Sequence, residues 1–106
     1  MGVKSPLQRS KAALEEAGYL VWITETWNAF ARIRQDLWGI ADLICLRGEE
    51  VLAVQVTSRN NVSARCKKIA DAPTIGPIRA AGIRVEVHGW GKLADGKYHC
   101  RIVDVS

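Results

Sequence analysis

The chain has 106 residues, enough for one domain (1–106) with a single core and too few for two. No apolar run approaches the roughly 20 residues of a membrane-spanning helix, and the N-terminus carries no stretch like a signal peptide, so a cytoplasmic protein is expected. A formal net charge of +4 and a pI near 9.2 give a mild pull toward polyanions, although a slight basic excess on any globular protein would read the same way. Cys45, Cys66 and Cys100 are widely spaced and form no C-x-x-C pair, which argues against a disulfide framework or a zinc knuckle and for buried thiols in a reducing cytosol.

In chain order, Ser5-Pro6-Leu7-Gln8 reads as a helix start, with Ser5 as cap, Pro6 in the first helical position and Gln8 completing a capping box. Leu7, Leu14 and Ala17 recur at helical spacing, and Gly18 ends the element. Tyr19 to Thr26 is β-branched and aromatic, which predicts a strand with Trp22 in the core. Trp27 to Gln35 is ambiguous and is read as a loop carrying Arg32 and Arg34. Two apolar runs follow, Gly39 to Leu46 and Val51 to Thr57, joined by the turn Arg47-Gly48-Glu49-Glu50. The run Val51 to Val54 predicts a central strand buried on both faces.

Beyond the loop Ser58 to Asn61, where Asn60 or Asn61 can cap, a helix places Val62, Cys66 and Ile69 on one face, with Arg65 and Lys68 together on its flank. Pro73 and Pro77 break or restart it, and a second helical piece spans about Ile75 to Ala81. Ile83 to His88 alternates as a half-buried strand, and after a turn at Asp95-Gly96 the last strand is Tyr98 to Val105. The expected order is α-β-β-β-α-β-β, a mixed sheet flanked by helices.

Pairing the two apolar runs so that Leu46 faces Val51 sets Asp42 opposite Gln55. Opposed residues of an antiparallel pair have Cβ atoms roughly 5 Å apart. A carboxylate and a carboxamide oxygen at that separation can share a divalent cation, and Thr57, two residues on, points the same way. The bland alternatives are that Asp42 caps a turn and that Gln55 and Thr57 lie on a solvated face.

The segments Gly39-Ile40-Ala41-Asp42 and Val54-Gln55-Val56-Thr57-Ser58, set in an αβββαβ order, resemble the PD-(D/E)XK nuclease superfamily, and within it the small Holliday-junction-resolvase-like nucleases, phage-encoded ones included. The likeness covers roughly residues 5 to 90. It implies a restriction-endonuclease-like αβββαβ core with one extra C-terminal strand. It further implies a nuclease in which Asp42, Gln55 and the Val56 carbonyl ligate Mg²⁺ or Mn²⁺. Thr57 stands where the family has a Lys that positions or activates water. Lys68 is the best chemical match for that role, with Arg65 and Arg59 as further candidates. Glu15, Glu16 or Asp36 could supply an additional acid, and Arg32, Arg34, Arg59, Arg65 and Lys68 would hold the DNA backbone.

The expected activity is metal-dependent hydrolysis of DNA phosphodiesters, on branched or duplex DNA, by a chain that the resemblance also implies to be a homodimer. The alternative is a nuclease fold whose catalysis has lapsed, acting as a DNA- or protein-binding module; Gln55 and Thr57 favour it. Trp27 and Trp38 could stack on bases or wedge a branch point, or simply pack under the loop. His88 could serve as an acid or base, or as a satisfied structural residue. With only His88 and His99 present and no metal-ligand spacing, a zinc enzyme is not expected.

Overall fold

Local signals place the first elements. In the computed structural model, which describes residues 4–106, Ser5 Oγ accepts the Gln8 N–H at 3.2 Å and Pro6 opens helix α1 (Pro6–Glu16). A polar cap before an apolar-periodic run satisfies an otherwise orphaned donor, so the helix starts there. Strand β1 (Leu20–Ile23) follows. Next come β2 (Thr26–Asn28) and β3 (Ile33–Gln35), which pair only with each other. Strands β4 (Leu43–Arg47) and β5 (Glu50–Ser58) form the central hairpin. A 3-10 turn at Arg59–Asn61 leads into α2 (Val62–Asp71), then α3 (Ile75–Ala80), β6 (Arg84–Lys92) and β7 (Tyr98–Asp104).

The five-stranded sheet has the order β1-β4-β5-β6-β7. β5 and β6 are parallel and every other pair is antiparallel. The chain is therefore α+β, a mixed central sheet flanked by helices with an added C-terminal strand, as the sequence predicts. The β4–β5 register is the expected one: Leu46 faces Val51 and Leu43 faces Val54. The turn is tighter than expected, because Arg47 and Glu50 are themselves paired and only Gly48 and Glu49 lie outside the ladder. Gly48 has φ +59°, the backbone that the first position of a two-residue hairpin turn demands.

Strict alternation along β5 sends its side chains to two cores. Leu52 and Val54 join Leu43, Cys45 and Val21 under Leu14 of α1. Ala53 joins Val85, Val87, Val62, Ile69 and Ile78 under α2 and α3. Gln55 and Thr57 continue the Ala53 row, so both point to the α2 side. Gly89 lets that layer close: a Cβ there would stand 2.1 Å from Val62 Cγ2. Cys45 is fully buried, and burial pushes its thiol up to about 12, so it behaves as a small apolar side chain.

Four expectations need correction. Trp27 to Gln35 is not a loop but the β2–β3 hairpin; Asn28 Oδ1 accepts the N–H groups of Phe30 and Ala31 and closes its turn. Trp22 is not core: it is 72% exposed, because β1 is an edge strand and no helix covers that side of it. The strand from Arg84 alternates as expected as far as Val87, but it runs on to Lys92, and His88, expected on its open face, is buried against α1. Finally, neither Asn60 nor Asn61 caps α2 with its side chain, since the 3-10 turn carries the chain into the helix instead.

Candidate functional site

The first turn of α1, the ends of β4 and β5, the β2–β3 hairpin and one flank of α2 enclose a pocket of about 790 Å³. Asp42, Gln55, Val56 and Thr57 form its floor. Arg65 and Lys68 of α2 and Glu25, Arg34 and Asp36 supply the other charged side chains of the lining. Asp42, Gln55 and Thr57 are all buried.

Backbone pairing builds the floor. The Asp42 N–H donates to the Val54 carbonyl at 2.8 Å, which continues the ladder one step past Leu43. On the other side the Thr24 N–H donates to the Asp42 carbonyl and Thr24 Oγ1 to the Ala41 carbonyl, both at 2.8 Å. Asp42 is thus held between two strands, and Glu25, the residue after Thr24, is delivered to the same pocket. β4 has ended by the level of Val56, so the Val56 N–H donates instead to Asp42 Oδ2 at 2.9 Å. The Val56 carbonyl lies on that same side of β5, where no residue of β4 is paired with it.

Gln55 Nε2 donates to Asp42 Oδ2 at 2.6 Å. Gln55 Oε1 is buried with no hydrogen-bond partner. A buried carbonyl oxygen left unpaired costs roughly 1–3 kcal/mol, which a water or a ligand in the pocket would offset. Burial pushes the Asp42 carboxyl above the ordinary range. The Val56 N–H and the Gln55 amide pull it back, whereas the nearby charges of Glu25 and Asp36 add to the upward push. Three acids, Glu25, Asp36 and Asp42, thus share the pocket with three cations, Arg34, Arg65 and Lys68.

Among the described residues no group of three or more His, Cys, Asp or Glu side chains sits close enough to hold a metal ion. The available donors are of another kind: the Asp42 carboxylate, the orphaned Gln55 Oε1 and the Val56 carbonyl. All are hard oxygens, which suits Mg²⁺ or Mn²⁺ and not a soft ion. The unpartnered Gln55 oxygen next to a carboxylate fits such a cation.

Several predicted residues fall elsewhere. Glu15 pairs with Lys11 at 3.1 Å on the outer face of α1. It is eight residues from Leu7 in the pocket wall, about 12 Å along the helix. Glu16 is exposed beside it. The Arg59 side chain lies over Gly91, away from the pocket, which weakens it as the missing cation. Arg32 is exposed in the hairpin turn. Arg34 lines the pocket but is ion-paired with Glu25 at 2.6 Å. Trp27 lines the pocket, whereas Trp38 packs beside Pro73 and Pro77 of the α3 region.

His88 lies on the opposite face of the sheet from Asp42. Its Nε2 meets Glu86 at 3.0 Å and its Nδ1 meets Ser10 Oγ at 3.0 Å, while Trp90 Nε1 donates to Ser10 Oγ at 2.8 Å. In the tautomer that carries its proton on Nε2, the ring donates to Glu86 and Nδ1 accepts from the Ser10 hydroxyl. Ser10 has no exposure at all, so this Ser-His-Glu arrangement ties α1 to β6 and reaches no substrate. Glu25 is the pocket residue that sequence reasoning missed. Its signal was the antiparallel pairing of the Tyr19 strand with the Asp42 strand, which brings the end of one beside the start of the other.

The fold and pocket define an α+β domain with an oxygen-donor site at the open end of its central hairpin. No family model matches the chain, and no curated protein sequence does either.

Proposed function

We propose that the chain is a metal-dependent DNA endonuclease that hydrolyses phosphodiester bonds, resembling the PD-(D/E)XK nucleases of the Holliday-junction-resolvase type. One observation carries the reading: a buried, partnerless amide oxygen beside a carboxylate, in a pocket that Arg65 and Lys68 also line. Asp42, Gln55 Oε1 and the Val56 carbonyl would hold Mg²⁺ or Mn²⁺. When bound, the ion would lower the pKa of a coordinated water and offset charge developing on the phosphate. Lys68 takes the place of the Lys that Thr57 lacks, orienting a phosphate oxygen or the attacking water, and Arg65 beside it holds the backbone. The first turn of α1, with Ser5, Pro6 and Leu7 in the pocket wall, adds the positive end of a helix dipole. Glu25 keeps Arg34 in place at the rim.

A homodimer and a cytoplasmic location belong to the same reading. Exposed Leu20, Trp22 and Leu46 along the β1 edge support the first, and three free thiols support the second. No described helix is long and apolar enough to cross a membrane. A second reading, a DNA-binding module without catalysis, draws on Asp42 Oδ2, which already accepts two hydrogen bonds from its own chain.

Cleavage of labelled four-way-junction, flap, duplex and single-stranded DNA, in Mg²⁺, Mn²⁺ or EDTA, separates the two. Cutting that needs metal and disappears in Asp42→Ala supports the nuclease. Retained binding with no cutting in any metal favours the module.

A further inference from the structure

The β2–β3 hairpin stands outside the main sheet, and its strands pair only with each other. Its turn is nonetheless built. Asn28 Oδ1 accepts the Phe30 and Ala31 N–H groups at 3.1 and 3.0 Å. Arg32 holds a left-handed φ of +54°, a conformation costly for a residue with a side chain. That framework carries Phe30 at the tip, 100% exposed, with Trp27 at 61% and Ile33 at 50%. Single exposed apolar residues are ordinary, but three large ones on one small hairpin mark a contact surface.

The charges around the hairpin indicate what the contact is. Trp27 is paired with Arg34, so the two share one face of the hairpin, and both line the pocket. Arg32 lies next to the tip, and Arg65 and Lys68 stand in the pocket wall. A flat ring among cations matches a nucleic-acid strand, whose bases stack on aromatics while its phosphates meet Lys and Arg. Glu25 takes up the Arg34 charge, but among the described residues Arg32, Arg65 and Lys68 have no ion-pair partner, so a second copy would set like charges against them and is the poorer occupant.

We propose that the β2–β3 hairpin is a stacking arm that takes an unpaired base of a DNA strand on Phe30 while the adjoining strand runs into the Asp42 pocket. The proposal rests on the nuclease reading of that pocket and adds the substrate feature that the enzyme selects. Trp27 lines the pocket, and Phe30 lies three residues on, in the turn of the same hairpin. Cutting is therefore expected a few nucleotides from the unpaired base.

The test is fluorescence anisotropy in EDTA, at low salt, on a labelled duplex and on the same duplex with a two-nucleotide bulge, followed by mapping of the cut in Mn²⁺. Wild type is expected to prefer the bulged DNA. Phe30→Ala should reduce the bulge-to-duplex affinity ratio on the order of tenfold, the loss of one base–aromatic stack. Phe30→Tyr, which keeps the ring, should preserve the ratio, and Phe30→Leu should not. Phe30 is wholly exposed, so an unchanged melting temperature is expected for each variant. If wild type binds and cuts DNA but Phe30→Ala leaves the ratio and the cut position unaltered, the stacking arm is refuted and the nuclease stands. If wild type binds neither DNA, the arm and the reading beneath it fall together. If Phe30→Ala instead turns a dimer into a monomer, the hairpin covers a second copy and the proposal is wrong.

Discussion

Gln55 donates its amide to Asp42 Oδ2 at 2.6 Å across the end of the β4–β5 pair, and its own carbonyl oxygen is left buried without a partner. The pair is satisfied on one side only. The Asp42 carboxylate is held away from water and near the Glu25 and Asp36 charges, a cost that a cation would remove.

Asp42→Asn should raise stability near neutral pH while abolishing cation binding. The Asp42 pKa is raised on folding, mainly by burial, so the folded state favours the protonated form. Its contribution is fully favourable below the unfolded pKa and is lost as pH rises through the folded one. At pH 7 the ionised group is therefore a burden. An Asn in its place still accepts the Val56 N–H. Thermal melts in EDTA should show the variant a few degrees above wild type at pH 7, with the gap closing as pH falls below the raised Asp42 value.

Gln55→Glu should make the protein less stable without metal and more responsive to it. Two opposed carboxylates at this depth repel, and each weakens the other's ionisation. The expected melting temperature is below wild type in EDTA, with a larger upward shift than wild type on adding Mn²⁺. An equal shift in the two proteins would mean that the Gln55 position does not face the ion.

Lys68→Ala and Arg65→Ala should each weaken DNA binding and flatten its salt dependence. A single phosphate contact contributes about 0.9 to the slope of log K against log salt, so each variant should lose close to one unit. Lys68→Ala should in addition lower the cleavage rate at saturating DNA, which Arg65→Ala should leave nearer wild type. Titrations at several salt concentrations and single-turnover cleavage measure both.

Ser10→Ala should destabilise the fold without touching the pocket. It strands His88 Nδ1 and Trp90 Nε1, both of which bond to Ser10 Oγ. The cost of leaving buried polar groups unpaired is roughly 1–3 kcal/mol each. Urea denaturation should show the loss, and Mn²⁺ affinity should not change.

The central hairpin was legible because its apolar runs admit one register that buries them, and that register alone set Asp42 against Gln55. The Lys68 flank of α2 was legible from helical spacing. The β2–β3 hairpin was not, because its closure depends on Asn28 bonding its own backbone, and Trp27, Phe30 and Ile33 carry no burial period. Trp22 misled because aromatic content marks a strand but not which of its faces is covered. Glu25 could not be placed until the β1 partner was known, since its position comes from the Thr24–Asp42 bond. Glu15 misled for the opposite reason: helical spacing is clear, but it does not say which end of α1 meets the pocket.

That Asp42 and Gln55 hold a divalent cation is tested most directly by titrating Mn²⁺ into the purified protein under electron paramagnetic resonance, beside Asp42→Asn. A saturable Mn²⁺ site in wild type that vanishes in Asp42→Asn, with both proteins folded, is the predicted result. The same Mn²⁺ uptake by both proteins, or none by wild type at millimolar ion, would contradict it.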